Sequence, residues 1–308
     1  MKETRMGHGP TQSRRRQERW GFAPYLLPAI LVLAVALLYP LTYSLYTSFH
    51  EVSLYDLSRW DFVGIDNYTN LLFGNPAFWP SLRVTGIFTV VSVFLEVVLG
   101  LAIALLLNIA IRGSKLARTV VLLPMMLTPI VISLIWKMLF NGDVGLLNYG
   151  LSTVGIDGPQ WLGDTSWALT AVIVVEVWQN TSYAVLIFLA ALQGVPDDVI
   201  EAAHVDGAGW WRSTWHIVIP FLRPALVIVL IIRTLFAFRA FETVFALTSG
   251  GPADSTLILS LFLQRTAFRS FDLGEASAIG WVMFLLALAI SVVYLLALRE
   301  RTPKRGRR

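Results

Sequence analysis

The stretch Val195-Pro196-Asp197-Asp198-Val199-Ile200-Glu201-Ala202-Ala203-His204-Val205-Asp206-Gly207-Ala208 continues through Trp210, Trp211 and Arg212 to Ile217-Val218-Ile219-Pro220, and it is a polar segment set between two long apolar runs. Pro196 suits a first helical turn, where its missing N–H is no loss. Asp197 and Asp198 then stand near the positive end of the helix dipole. The pattern predicts a short helix over 197–206, stopped by Gly207 and Gly209, residues suited to a left-handed turn. Ala202 and Ala203 keep one face slim enough to lie in a partner's groove, and Glu201 offers that partner a charge. The run from Trp210 to Ile217 predicts a second short helix, returning the chain to its next apolar run at Pro220 and Pro224. Taken without a partner, the same segment is an ordinary amphipathic loop.

Outward from this segment, the chain holds six apolar stretches, near 23–48, 84–110, 119–140, 166–192, 224–247 and 276–298. Each is long enough to cross a bilayer core of roughly 30 Å, which takes about 20 helical residues. A chain that is 56% hydrophobic and 14% charged, with mean hydropathy +0.66, is no ordinary soluble domain. With no water at depth, each span satisfies its own backbone as a helix. The expected fold class is all-α: a polytopic membrane protein with six transmembrane helices and a cytoplasmic helix in the loop 195–220.

Orientation follows from the basic residues of the short loops. Lys2, Arg5, Arg14, Arg15, Arg16 and Arg19 precede the first span, and Arg299, Arg301, Lys304, Arg305, Arg307 and Arg308 follow the last. Arg112, Lys115, Arg118, Arg212 and Arg223 fall on the same side, against only Arg59, Arg83, Arg265 and Arg269 on the other. Both termini are therefore expected in the cytoplasm. The domain reading is a basic tail at 1–21, one membrane domain at 22–298 and a basic tail at 299–308. The tails serve as topology signals that touch anionic lipid headgroups, and no nucleic-acid partner is expected. Ser13-Arg14-Arg15-Arg16 resembles a twin-arginine export signal, but Gln17 and Glu18 follow it and the apolar run is too long for a signal-peptide core, so the first span is expected to be retained.

Glu201-Ala202-Ala203, Gly207 four places on, then Ile217-Val218-Ile219-Pro220 resembles the signature cytoplasmic loop of ABC importer permeases, which usually has Leu where Ile219 stands. The external stretches Phe62-Val63-Gly64-Ile65-Asp66-Asn67-Tyr68, Thr248-Ser249-Gly250-Gly251-Pro252 and Phe271-Asp272-Leu273-Gly274-Glu275-Ala276-Ser277-Ala278 resemble the branch of that family that imports maltose, trehalose, polyols and glycerol phosphate. The resemblance covers roughly 22–298. It implies an inner-membrane permease subunit of a bacterium or archaeon, forming half of a pore with a second homologous permease. It also implies two ATPase subunits, which bind the ATP and Mg, and an extracytoplasmic sugar-binding protein. The ATPase coupling residues it implies are Glu201, Ala202, Ala203, Asp206, Gly207, Ile217 and Pro220. The chain itself has no Gly-x-x-x-x-Gly-Lys-Ser/Thr loop, and its lysines are Lys2, Lys115, Lys137 and Lys304 alone. No enzyme activity and no cofactor is expected in this subunit.

Ionisable residues at membrane depth are costly and mark function. Glu176, Gln179, Asn180 and Tyr183 recur at i, i+3, i+4 and i+7 and so share a helix face. Amides and a carboxylate there suit sugar hydroxyls, with Trp178 or Tyr183 able to stack on a pyranose. Thr85, Thr89, Ser92 and Glu96 line a face of the second span, and Arg239 and Glu242 are i,i+3 neighbours able to pair. The alternative is that these groups only glue helices together. Small residues such as Gly100, Ala102, Ala104, Ala287 and Ala289 permit close packing, and Pro124 and Pro129 can kink the third span. His50, His204 and His216 share no metal-ligand spacing. Two rival functions stand beside the pump: a gradient-driven carrier using Glu96, Glu176 or Glu242 as proton sites, and an ABC permease for a non-sugar solute.

Overall fold

The computed structural model describes residues 23–109 and 114–299. The basic tails and Arg112 lie outside the described residues, Arg299 excepted. In chain order, α1 is Ala23–Thr47, and a hairpin of β1 (His50–Ser53) and β2 (Asp56–Phe62) follows. Next come α2 (Asp66–Thr69), α3 (Phe78–Asn108) and α4 (Ser114–Leu122), which runs into a 3-10 turn at Leu123–Met126. α5 is Pro129–Leu139, α6 Leu146–Ser152 and α7 Thr165–Leu192. α8 (Asp197–Val205), α9 (Trp210–Ser213) and α10 (Ile219–Phe221) form the polar segment. α11 (Arg223–Phe238), α12 (Glu242–Leu247), α13 (Leu259–Phe268) and α14 (Leu273–Arg299) complete the chain.

Among the described residues, four helices are long and apolar enough to cross a bilayer unbroken: Leu26–Thr47, Phe78–Asn108, Thr165–Leu192 and Leu273–Leu296. The third and fifth apolar stretches are not single helices. Lys115–Met126 and Pro129–Leu139 meet at 100°, and Trp210–Phe221 and Arg223–Phe238 at 62°, so there are six passes if each bent pair is one span. The third break has a local cause. Proline disfavours the helical region for the residue before it, and Thr128 sits extended at φ −70, ψ 140 ahead of Pro129. The fifth apolar stretch, expected to run to 247, also stops at Phe238, and the chain re-enters helix at Glu242.

α3 and α7 form the central packed pair. At Gly100 a Cβ atom would lie 2.6 Å from the Cβ of Ala184, so only glycine lets the two backbones come this close. Ala104 and Ala184 are fully buried nearby, whereas Ala102 and Ala289 face outward. The breaks are tied down by α7. Ser182 Oγ donates to Val121 O (2.6 Å) and Gln179 Nε2 to Leu127 O (3.2 Å), which satisfies carbonyls left free where α4 unwinds.

The hairpin was not foreseen in an all-α chain. It pairs His50 with Phe62 and Glu51 with Asp61, and bridges to Asp272 through Ser53. Asn67 Nδ2 donates to Ser48 O (2.9 Å) and His50 O (3.0 Å), while Tyr68 OH meets Ser48 Oγ at 2.7 Å. Gly274 closes this clamp, since a Cβ there would stand 2.3 Å from His50 O. Two of the external motifs thus hold one another in place. His50 is a buried, satisfied histidine, with Nδ1 2.8 Å from Tyr46 O and its ring against Tyr46.

Candidate functional site

Two features stand out, one at the end of the bundle and one inside it. At the end, α8 takes the expected helix, with Pro196 just outside it as N-cap at φ −65, ψ 130. Its C-terminus closes as a Schellman motif: Ala208 N–H donates to Ala203 O (2.9 Å) and Gly207 N–H to His204 O (3.0 Å). Gly207 supplies the left-handed residue at φ 77. Gly209 does not; it is extended at φ −71, ψ 168 and begins α9. Glu201, Ala202 and Asp206 are exposed, and Glu201 makes no hydrogen bond or ion pair among the described residues. Ile217 and Pro220 are half-buried in a helical run through 214–221 that joins α9 to α11.

Beside α8 the chain exposes Val205 (88%), Trp211 (70%) and Trp215 (61%). A shallow cavity of about 260 Å³ separates α8 and α9 from the ends of α3 and α7, with Asn108, Leu192, Ile200 and Trp210 on its walls. A polar helix with a free carboxylate, flanked by exposed tryptophans, has the makeup of a surface that meets another protein.

Inside the bundle, the two broken helices and α7 enclose a cavity of about 350 Å³. Its walls are Pro129 from the third break, Glu176, Gln179 and Asn180 from α7, and Arg233, Phe236, Arg239, Ala240, Phe241, Glu242 and Thr243 from the fifth. Irregular backbone at this depth is tolerated where it lines a cavity. Of the residues singled out for a solute path, Glu176, Gln179, Asn180, Arg239 and Glu242 converge here. Trp178, Tyr183 and Glu96 do not line it. Trp178 instead packs edge-on against Trp136 at 5.7 Å.

The expected Arg239–Glu242 pair does not form, because the helix ends at Phe238, the next begins at Glu242, and the i,i+3 geometry is lost. Arg239 lies 4.6 Å from the Phe236 ring centroid instead. On this cavity wall the guanidinium that pairs is that of Arg233. Its Nε donates to Glu96 Oε2 at 2.6 Å, and its Nη2 to Glu96 Oε1 and Glu176 Oε1, both at 3.0 Å. All three side chains are buried, so three helices meet in one ion cluster. Asn180 Nδ2 also donates to Glu176 Oε1 (2.9 Å), and Thr243 Oγ1 stands 3.5 Å from Oε2. Arg233 falls within the fifth apolar stretch, but nothing in the spacing along the chain shows that its partners lie on two other helices.

A model of the family described as binding-protein-dependent transport system inner membrane component matches residues 96–301. The chain is 40% identical over 268 residues to a probable ABC transporter permease protein of Sinorhizobium fredii, spanning 87% of this chain and 86% of that protein. It is 36% identical over 283 residues to a trehalose/maltose transport system permease protein of Thermococcus litoralis, spanning 91% and 94%. Among solved structures it matches a chain of a bacterial ABC transporter involved in the import of the acidic polysaccharide alginate. That match has TM-score 0.82 and 20% identity, over 95% of this chain and 100% of that one, a likeness of fold.

Proposed function

The chain belongs to the family of binding-protein-dependent transport system inner membrane components, and from that membership we propose that it is the permease subunit of an ATP-driven importer of sugars or related polyols. The observation that carries this reading is the exposed helix Asp197–Val205, whose Glu201 has no partner within the described chain. In this reading α8 docks into an ATPase subunit through Glu201, Ala202, Ala203, Asp206 and Gly207, with Ile217 and Pro220 anchoring the return helix. A second homologous permease completes the pore, a second ATPase serves that permease, and an extracytoplasmic binding protein delivers the solute. ATP and Mg belong to the ATPase chains. The sugar assignment is supported by the trehalose/maltose relative and by the amide and carboxylate wall of the inner cavity.

The membrane domain is 22–298, in the cytoplasmic membrane, with the basic tails 1–21 and 299–308 and the α8 loop all on the cytoplasmic side. Solute passing through meets Glu176, Gln179, Asn180, Arg239 and Glu242. The test is uptake of radiolabelled maltose, trehalose, glycerol and glycerol 3-phosphate into proteoliposomes holding the complex co-purified through this subunit. ATP-dependent uptake that is lost in Glu201→Ala and in Gly207→Asp is the expected result. Uptake that needs no ATPase and collapses with an uncoupler would instead establish the gradient-driven carrier, and ATP-dependent uptake of none of these solutes would reassign the cargo to another class.

A further inference from the structure

Glu96 is the most deeply buried carboxylate in the described chain, at 0% exposed, and it reaches neither the inner cavity nor solvent. Its role therefore has to run through Arg233, which it holds with two hydrogen bonds of 2.6 and 3.0 Å. Arg233 gives Glu176 only one, at 3.0 Å. The sharing is unequal, and it leaves the two oxygens of Glu176 in different states. Oε1 accepts from both Arg233 and Asn180, while Oε2 has only the long 3.5 Å approach of Thr243, itself a wall residue of the cavity.

We propose that Glu96 and Arg233 are positioning residues that clamp one oxygen of Glu176, so that the other is presented to the cavity as the acceptor for a solute hydroxyl. This rests on the importer reading above and specifies what its inner site recognises. A guanidinium forks onto two acceptors in a fixed plane, so Glu96 sets the direction in which the remaining N–H meets Glu176. Lysine keeps the charge but lacks that fork. An under-bonded carboxylate oxygen beside two amides, Gln179 and Asn180, suits a polyhydroxylated solute.

The test uses the whole co-purified complex in proteoliposomes, with whichever of maltose, trehalose, glycerol or glycerol 3-phosphate the wild type transports as the probe. Arg233→Lys and Glu96→Gln are compared with Glu176→Gln, and KM and the maximal rate are read separately, with recovery of assembled complex measured alongside. The expected result is a KM raised at least tenfold in all three, with complex recovery in Arg233→Lys and Glu96→Gln close to wild type. A purely structural cluster would lower recovery or the maximal rate and leave KM alone. Wild-type KM in either assembled positioning variant, while Glu176→Gln raises it, overturns the clamp and spares the importer reading. Should neither positioning variant assemble, Glu96→Asp, which keeps both charges but draws Arg233 back by the length of one methylene, decides: a wild-type KM there overturns the clamp and a raised KM supports it. A wild-type complex that transports none of the probes overturns the sugar reading itself.

Discussion

Glu201 stands on an exposed helix without a partner among the described residues, so removing its carboxylate has almost no folding cost. Surface substitutions of this kind stay within about 0.5 kcal/mol of wild-type stability. Glu201→Ala is thus expected to keep the thermal midpoint of the purified subunit while weakening retention of the ATPase by roughly tenfold, about 1.4 kcal/mol, measured by co-purification at graded ATPase concentration. A lowered midpoint would place Glu201 in the fold rather than the interface. Arg233 is the opposite case. Arg233→Leu leaves Glu96 and Glu176 buried without their cation, and breaking a buried pair this way costs about 3–5 kcal/mol. Its complex should be recovered poorly, in contrast to Arg233→Lys. Sequence spacing placed Glu201 on its helix. The one ion pair that spacing assigned, Arg239 with Glu242, does not form, and the pair that does form joins Glu96 and Arg233, which are 137 residues apart and meet only in the folded bundle.

At the scale of the element, the helix end at Gly207 was legible because a Schellman cap is a local device, written in consecutive residues. Gly207→Val forces a branched side chain into φ 77, at a cost of about 1–2 kcal/mol concentrated in this one cap. Hydrogen exchange of Ala208 N–H, bonded to Ala203 O in the wild type, should rise while α7 stays protected. The breaks in the third and fifth passes were only half legible. Pro129 announces the first, but hydropathy is continuous through Leu127 and Thr128 and gives no sign of a 100° turn. What makes the turn tolerable is Gln179 on another helix, which takes up Leu127 O. The 62° bend at Leu222 lies between Pro220 and Pro224, ahead of the fifth apolar stretch; that stretch itself breaks between Phe238 and Glu242 with no proline, and there Ser260 Oγ donates to Ala240 O from α13. The inner cavity lies between these two breaks, so five of its wall residues, Glu176, Gln179, Asn180, Arg239 and Glu242, stood out one by one in the sequence while the enclosure that gathers them did not. α3 and α7 offer a packing test. Gly100→Leu overfills a contact with Ala184 that already leaves no room for a methyl group, and overpacking of this sort costs about 1–3 kcal/mol, readable as a lower thermal midpoint in detergent.

For the whole molecule, the path of the chain decides whether the bent pairs are crossings or re-entrant loops. Asn108 at the end of α3 and Leu192 at the end of α7 line the same cavity, so both helices arrive at one end of the bundle. The chain between them must return to the other end to start α7 again at Thr165, and α4, α5 and α6 are the elements available for that return. The same holds after α8. Leu222 packs in a cluster with Ala104 and Leu192, yet the chain next reaches Asp272, which bridges to the hairpin at Ser53 before α14 begins. On this path we propose that each bent pair is one crossing, which gives six. The absence of cysteine makes this directly measurable, because each introduced thiol is the only one in the chain. Single cysteines at Ser58 and Ser152 should react with a membrane-impermeant maleimide added to intact cells or spheroplasts, whereas those at Lys115 and His204 should react only after permeabilisation. The pair that matters most is Lys115 and Ser152, which flank the 100° bend: labelling from the same side would make the third pass a re-entrant loop and leave the start of α4 and the end of α5 facing one compartment, whereas labelling from opposite sides means that a helix broken at Thr128 still spans the membrane and lends its break to the cavity.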